Sequence, residues 1–263
     1  HNMIPLYAKY ENGNRAFEVY ARMIKEGLKP NEFSFPCILK ICSDAIALEE
    51  GQVLHYHLIH DGFESNVVVG NTLIRMYTNC GSLAMAQKVF ETLPNRSLVT
   101  WSSIITSYTQ HGFGHLALEI FNEMQDAKVK PDMVIFSCIL KACCLLKILE
   151  YGMLIHAQLI ESGNAIDIAI ENTLIDMYGK SGSLEEARFM FDRMPRRNLA
   201  TWNSILTAYA HQQKYAWHAL EVFRMMLLEG VGTDKITFIS LINACSCVGS
   251  LKDGYVIHEY VVG

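Results

Sequence analysis

The sequence predicts an all-α solenoid of stacked helix-turn-helix repeats. Two observations carry this. The first is a long block that recurs along the chain, sought before anything else because self-similarity decides the fold. NTLIRMY at 71–77 returns as NTLIDMY at 172–178, and TWSSIITSY at 100–108 returns as TWNSILTAY at 201–209, both at an offset of 101 residues. FPCILKICS at 35–43 returns as FSCILKACC at 136–144 at the same offset, and more loosely as FISLINACS at 238–246 at 102.

The second observation is helical periodicity inside the block. Alanine, an apolar residue, an aromatic and another apolar residue recur at i, i+3, i+4 and i+7. They stand at Ala16-Val19-Tyr20-Met23, Ala86-Val89-Phe90-Leu93, Ala117-Ile120-Phe121-Met124, Ala187-Met190-Phe191-Met194 and Ala219-Val222-Phe223-Met226. This spacing puts four side chains on one stripe of a helix, and the alanine lets a neighbour approach closely. About sixteen residues earlier lies a second helix of the same period, clearest at Trp101-Ile104-Ile105-Tyr108 and Trp202-Ile205-Leu206-Tyr209. Polar turns such as Asn79-Cys80-Gly81-Ser82 and Lys180-Ser181-Gly182-Ser183 join the two. Glycine there ends one helix and serine is expected to cap the next. One such hairpin of 31–36 residues cannot bury its own stripe, whereas a stack can, and the stack should present a concave face.

Composition narrows the function. Apolar residues make up 51% of the 263, which excludes a disordered chain. With 6 prolines and no low-complexity stretch, no linker divides it. No apolar run approaches the ~20 residues of a membrane span. Residue 1 lies inside an already patterned segment with no targeting peptide before it, so the chain reads as a fragment of something longer. The net charge is -5, so the basic footprint usual in a nucleic-acid binder is missing. The eight cysteines contain no C-x-x-C and are expected as reduced core thiols. No zinc-deaminase His-x-Glu with a downstream C-x-x-C appears, His258-Glu259 lacks a second histidine, and Gly112-Phe113-Gly114 is a hairpin turn. Neither an enzyme, a cofactor, a metal site nor a small-molecule substrate is expected.

With these residues in hand, the whole chain resembles the pentatricopeptide repeat family in its plant arrangement of alternating P, L and S motifs. The resemblance implies a right-handed superhelical solenoid. Motifs of 35, 35 and 31 residues sum to the repeat of 101. They divide the chain into a partial P at 1–31, L at 32–66, S at 67–97, P at 98–132, L at 133–167, S at 168–198, P at 199–234 and a partial L at 235–263. The P motif at 199–234 carries one extra residue near Gln212-Gln213. In the L motifs Gly51, Gly152 and Gly254 replace the alanine, and His55, His156 and His258 replace the aromatic. Lying a triplet apart, the three histidines are too far separated to share an ion, and a packing variant at a repeat interface is expected.

The resemblance further implies single-stranded RNA read one base per repeat. The readers are the fifth residue of a motif and its last residue, with an apolar second residue sandwiching the base. The reading pairs are then Asn71 with Ser97 for cytosine, Ser102 with Asp132 for guanine, Asn172 with Asn198 for a pyrimidine, and Asn203 with Asp234 for uracil. Ser137 with Asp167 reads more weakly, and Pro36 with Asn66 and Ile239 space rather than specify. The sandwiching residues are Phe33, Val68, Val99, Val134, Ala169, Ala200 and Ile236, and Lys9 and Lys180 occupy the phosphate-contact position. The target resembles 5′-CGNYU-3′. Asparagine and serine at helix starts are also common simply as caps, the plainer reading of any single pair. Family resemblance implies a chloroplast or mitochondrial setting, as the recognition part of a C-to-U RNA editing specificity factor, with L motifs binding multiple organellar RNA editing factors. The alternatives are RNA processing, stabilisation or splicing, and a tetratricopeptide-like protein-binding scaffold.

Overall fold

The computed structural model describes residues 13–210 and 212–249. The chain divides into two compact units, His1–Pro131 and Asp132–Gly263. The described residues of the first form α1 (Gly13–Lys25), α2 (Ser34–Ala45), α3 (Leu48–His60), α4 (Val67–Asn79), α5 (Leu83–Thr92), α6 (Leu98–Gln110) and α7 (Gly114–Asp126). Those of the second form α8 (Met133–Leu146), α9 (Leu149–Glu161), α10 (Ile168–Lys180), α11 (Leu184–Arg193), α12 (Leu199–Ala210), α13 (Ala216–Leu228) and α14 (Lys235–Val248). A 3-10 turn, Gln213–Tyr215, precedes α13 and lies where the extra residue of the 199–234 segment falls. Among the described residues there is no strand, and no helix is long and apolar enough to cross a membrane.

Each unit is a stack of helix hairpins. In the first, α2, α4 and α6 pack side by side, each against its hairpin partner α3, α5 or α7. In the second, α8, α10, α12 and α14 form the corresponding row, backed by α9, α11 and α13. The periodic stripes supply the core between the rows. Ala86, Ala117, Ala187 and Ala219 are fully buried, as are Phe90, Phe121 and Phe191, and Trp101 and Trp202 are sealed from solvent. Close helix approach is the alanine's role, and the aromatic behind it fills the volume between hairpins.

Two junctions recur in the two units with the same chemistry. Where a 31-residue segment meets the next hairpin, Phe90 packs edge-on against Trp101 at 5.0 Å, and Phe191 against Trp202 at 4.9 Å. Arg96 lies over both rings of the first pair and Arg197 over both rings of the second, each 4.5 Å from the phenylalanine centroid. Each arginine also donates from Nε to the backbone carbonyl of that phenylalanine at 3.1 Å. The guanidinium thus caps a helix end while stacking on desolvated rings.

The second junction explains the glycine and histidine substitutions. A Cβ on Gly51 would stand 2.5 Å from Met76 Sδ, and one on Gly152 would stand 2.4 Å from Met177 Sδ. His55 Nδ1 lies 2.8 Å from the Tyr77 hydroxyl, and His156 Nδ1 lies 2.8 Å from that of Tyr178. Both histidines therefore hold a repeat interface through a tyrosine, as expected, and among the described residues no cluster could hold a metal. Gly254, His258, His1 and Lys9 lie outside the described residues.

Burial, helped by Lys88 and Arg193 respectively, pulls the His55 and His156 pKa values down, while burial pushes the Tyr77 hydroxyl up to about 12. The two histidines are thus neutral in the folded chain, and below the ordinary value of about 6.5 the unfolded chain binds more protons. Their contribution is full above that value and is lost as pH falls through the depressed folded pKa values. The melting temperature should accordingly drop between about pH 7 and pH 5. It should drop less in the His55→Gln, His156→Gln double variant, where neither side chain titrates; equal drops would assign the acid sensitivity to the carboxylates.

Two expectations need correction. Ser82 and Ser183 stand at helix starts, but neither side chain caps its helix. Their ψ angles of 68° and 70° turn the hydroxyls away from the first-turn N–H groups, and the Ser183 hydroxyl donates to the Glu186 carboxylate instead. None of the eight cysteines forms a disulfide, and Cys42, Cys138, Cys143, Cys144 and Cys245 are buried, yet Cys247 is exposed and Cys37 and Cys80 are half-buried.

Candidate nucleic-acid interface

From α4 on, the residue just before each first helix turns out to be its cap, whereas at α2 that place is held by Phe33 and Asn31 accepts from the Ser34 N–H instead. Asn66 Oδ1 accepts from the N–H groups of Val68 and Val69, and Ser97 Oγ from that of Thr100. Asp132 accepts from Ile135, Asp167 from Ile170, Asn198 from Thr201 and Asp234 from Thr237. Each carries a short side chain with an oxygen two or three bonds from Cα, able to reach an orphan donor of the first turn. The capping duty and the candidate reading duty thus fall on the same side chains.

The second residue of each motif points away from the core at every described position. Val68, Val99 and Val134 are 63%, 62% and 53% exposed, Phe33 and Ile236 are also exposed, and so are Ala169 and Ala200. Apolar side chains left in solvent at one fixed register form flat surfaces on which a planar ring can lie.

Three residues further on come the fifth positions, one helical turn from those apolar surfaces. Asn71, Ser102, Ser137 and Asn172 are half-buried, while Asn203 is buried. In two cases the structure brings the fifth and closing residues together. Asn172 Nδ2 donates to Asn198 Oδ1 at 3.3 Å, and Asn203 Nδ2 donates to Asp234 Oδ1 at 3.0 Å. The cap settles the orientation of both amides. Asn198 must offer oxygen to the Thr201 N–H, so Asn172 must offer it nitrogen. The Oδ1 atoms of Asn71 and Asn172 are buried with no hydrogen-bond partner. Hydrogen bonds from the Thr237 N–H, and then from the Thr237 and Asn203 side chains, hold the Asp234 carboxyl below the usual range, so it is an ionised acceptor at neutral pH.

Both units carry a groove beside these residues. In the second, a cleft of about 690 Å³ is lined by Asn172, Asn198, Asn203 and Asp234, with Ala200 and Ile236 beside them and Lys141 and Lys180 at its edge. In the first, a cleft of about 380 Å³ is lined by Asn71 and Pro36, with Lys40, Arg75 and Ser103. Lys180 Nζ sits 2.6 Å from Asp176, so much of its charge is already matched. Burial pulls its pKa down, but the hydrogen bond and charge of Asp176 more than offset that. Lys40, Arg75 and Lys141 are exposed as Lys180 is, but none of them stands in an ion pair among the described residues. These three escaped the sequence reading, although each lies four residues after a fifth position, hence on the same helix face.

The comparisons fall into place beside this geometry. Models described as PPR repeat family, PPR repeat and pentatricopeptide repeat domain match residues 96–145, then 71–98 and 172–199, then 1–45 and 190–247. A chloroplastic pentatricopeptide repeat-containing protein of Arabidopsis thaliana is 34% identical over 257 residues, covering 97% of this chain and 30% of that protein. A mitochondrial one from the same plant is 33% identical over 245 residues, covering 93% of this chain and 39% of that protein. The chain thus spans about a third of the length of the curated relatives it matches first. Among solved structures, the pentatricopeptide repeat protein PPR10 in complex with an 18-nt psaJ RNA element superposes with a TM-score of 0.88 at 19% identity, over 98% of this chain and 39% of that one. PPR10 from maize gives 0.57 at 16% identity, over 98% of this chain and 43% of that one. These likenesses carry the fold, and the relatives and models carry the family: the chain belongs to the pentatricopeptide repeat family.

Proposed function

We propose that the chain binds single-stranded RNA sequence-specifically, reading one base per repeat with the fifth and closing residues of each motif. The observation that carries this is the pairing of Asn203 with Asp234 and of Asn172 with Asn198 across successive first helices, each beside an exposed apolar residue. Such a pair presents fixed donors and acceptors next to a stacking surface, which is what an unstacked base needs. First helices that begin at Val67, Leu98, Met133, Ile168, Leu199 and Lys235 support the motif division on which the register rests. The target that this register gives is 5′-CGNYU-3′.

Lys40, Arg75 and Lys141 supply the phosphate contacts in this reading, more than Lys180, while Lys9 belongs to the segment not described. With three such contacts on a single strand, log affinity against log salt should have a shallow slope of about -2. Binding measured on a short RNA carrying CGNYU, against one with its reading bases permuted, tests the proposal; equal affinities would overturn it.

For the use of this grip, the RNA-bound likeness supports an organellar factor that occupies a transcript and so governs its processing or stability. A second reading, a guide for C-to-U editing whose L motifs recruit multiple organellar RNA editing factors, rests on the uneven motif lengths of 35, 35 and 31. Chloroplastic and mitochondrial relatives support an organellar site of action.

A further inference from the structure

One side chain at the last reading pair does something its counterparts do not. Thr237, in the first turn of α14, is fully buried. Its hydroxyl accepts from the Asp234 backbone N–H at 3.2 Å, closing a capping box. The same oxygen lies 2.7 Å from Asn203 Oδ1 and 2.9 Å from Asp234 Oδ1, so its single proton bridges the two reading residues. At the preceding joint Thr201 holds the corresponding place, but it bonds only to Asn198, and Asn172 Oδ1 has no partner. Thr100 likewise meets Ser97, while Asn71 Oδ1 has none.

We infer that Thr237 is a positioning residue for base selection, fixing the Asn203 amide so that its nitrogen, and never its oxygen, faces the base. This rests on the base-reading proposal above and extends it to a third residue. The hydrogen-bond inventory gives the consequence. With Oδ1 engaged by Thr237 and one Nδ2 hydrogen engaged by Asp234, Asn203 has one amide hydrogen left to offer. Asp234 has spent Oδ1 on its cap and on Asn203 and keeps Oδ2 as an acceptor. The pair therefore offers one donor beside one acceptor. Uracil answers it with a carbonyl beside its N3–H. Cytosine held in the same position would set its N3, an acceptor, against Asp234, and must shift along the pair to bring its N4–H2 donor there instead. Released from Thr237, the Asn203 amide would be held by its single bond to Asp234, as Asn172 is by its bond to Asn198, and the looser donor would blur the distinction between uracil and cytosine.

The test uses the chain with short RNAs differing only at the base opposite Asn203 and Asp234, each variant assayed below its own melting temperature. Thr237→Val removes the hydroxyl and keeps the shape; Thr237→Ser keeps the hydroxyl. The expected result is that Thr237→Val lowers the uracil-over-cytosine preference by roughly three- to ten-fold, the range set by one neutral hydrogen bond, and that Thr237→Ser retains the preference. A uniform loss of affinity for both RNAs, or an unchanged preference in Thr237→Val, would reduce Thr237 to a helix cap. Loss of the preference in a folded Thr237→Ser would also overturn the inference. If the unaltered chain shows no preference at this base, it is the base-reading proposal that fails.

Discussion

Changing Asn203 to serine is expected to move the preference at the last read base from uracil toward guanine. The amide reaches both Asp234 and Thr237 from its place on α12, and a hydroxyl one bond shorter reaches neither in the same way. The donor that met a pyrimidine carbonyl withdraws, and space opens for the larger ring. Asp234 remains an acceptor, now for the adjacent N1–H and N2–H of guanine. The uracil preference should fall by about tenfold, the upper end of what one neutral hydrogen bond supplies. Binding to the same RNA with U or G at that place reads the change. A preference that stays on uracil would show that the register is displaced.

Gly179→Ala is expected to give the largest loss of stability of any single methyl added to the chain's described glycines. The new Cβ would stand 2.4 Å from Ala208 Cβ and 3.3 Å from Ala208 Cα, on the helix alongside. Ala208 has no side-chain torsion by which to yield, so α10 and α12 must part. Overpacking of this kind costs ~1–3 kcal/mol. The helix-propensity gain from replacing glycine returns about 1 kcal/mol, so a net loss of up to about 2 is expected. Denaturant midpoints would measure it, and Ala208→Gly in the same chain should recover most of the loss. A stabilised Gly179→Ala would contradict the close approach. At Gly51 the clash is with Met76 Sδ and Cε, the free end of a flexible side chain, so Gly51→Ala should cost less. RNA binding should suffer too in Gly179→Ala, because α10 carries Asn172 and α12 begins at the Asn198 cap that pairs with it.

Helices and their pairing were legible in the sequence because burial repeats with a helical period and the block repeats itself. Trp101 and Trp202 appear there as stripe residues. Their arginine partners do not, since Arg96 and Arg197 sit in a turn whose path decides that the guanidinium folds back over the rings. The glycines and histidines of the L motifs were visible as departures, but their reason, Met76 and Met177 filling the space above a missing Cβ, belongs to the neighbouring hairpin. The candidate site divides in the same way. Asparagine, serine and aspartate at the fifth and closing places could be read off by counting. That Lys180 is matched by Asp176 could have been suspected from their spacing of four on one helix, and so could the exposed Lys40, Arg75 and Lys141. Thr237 could not: a threonine in a first turn reads as a cap residue, and only the packing of α14 on α12 brings its hydroxyl to Asn203.

That a helix cap and a candidate base reader are one side chain has a bearing on how such a chain can change its target. Asn66, Ser97, Asp132, Asp167, Asn198 and Asp234 each accept a first-turn N–H, and Asn31 does so at the start of α2. A side chain without a well-placed oxygen there costs about 1 kcal/mol of helix stability at every joint it occupies. Drift at these places is thereby biased toward asparagine, aspartate, serine and threonine, with glycine the least costly departure, whichever nucleotide is being selected for. The fifth positions carry no such obligation and tolerate proline at residue 36 and isoleucine at residue 239. New specificities should therefore arise mostly by substitution inside the helix, with the residue at its threshold following among those that folding favours.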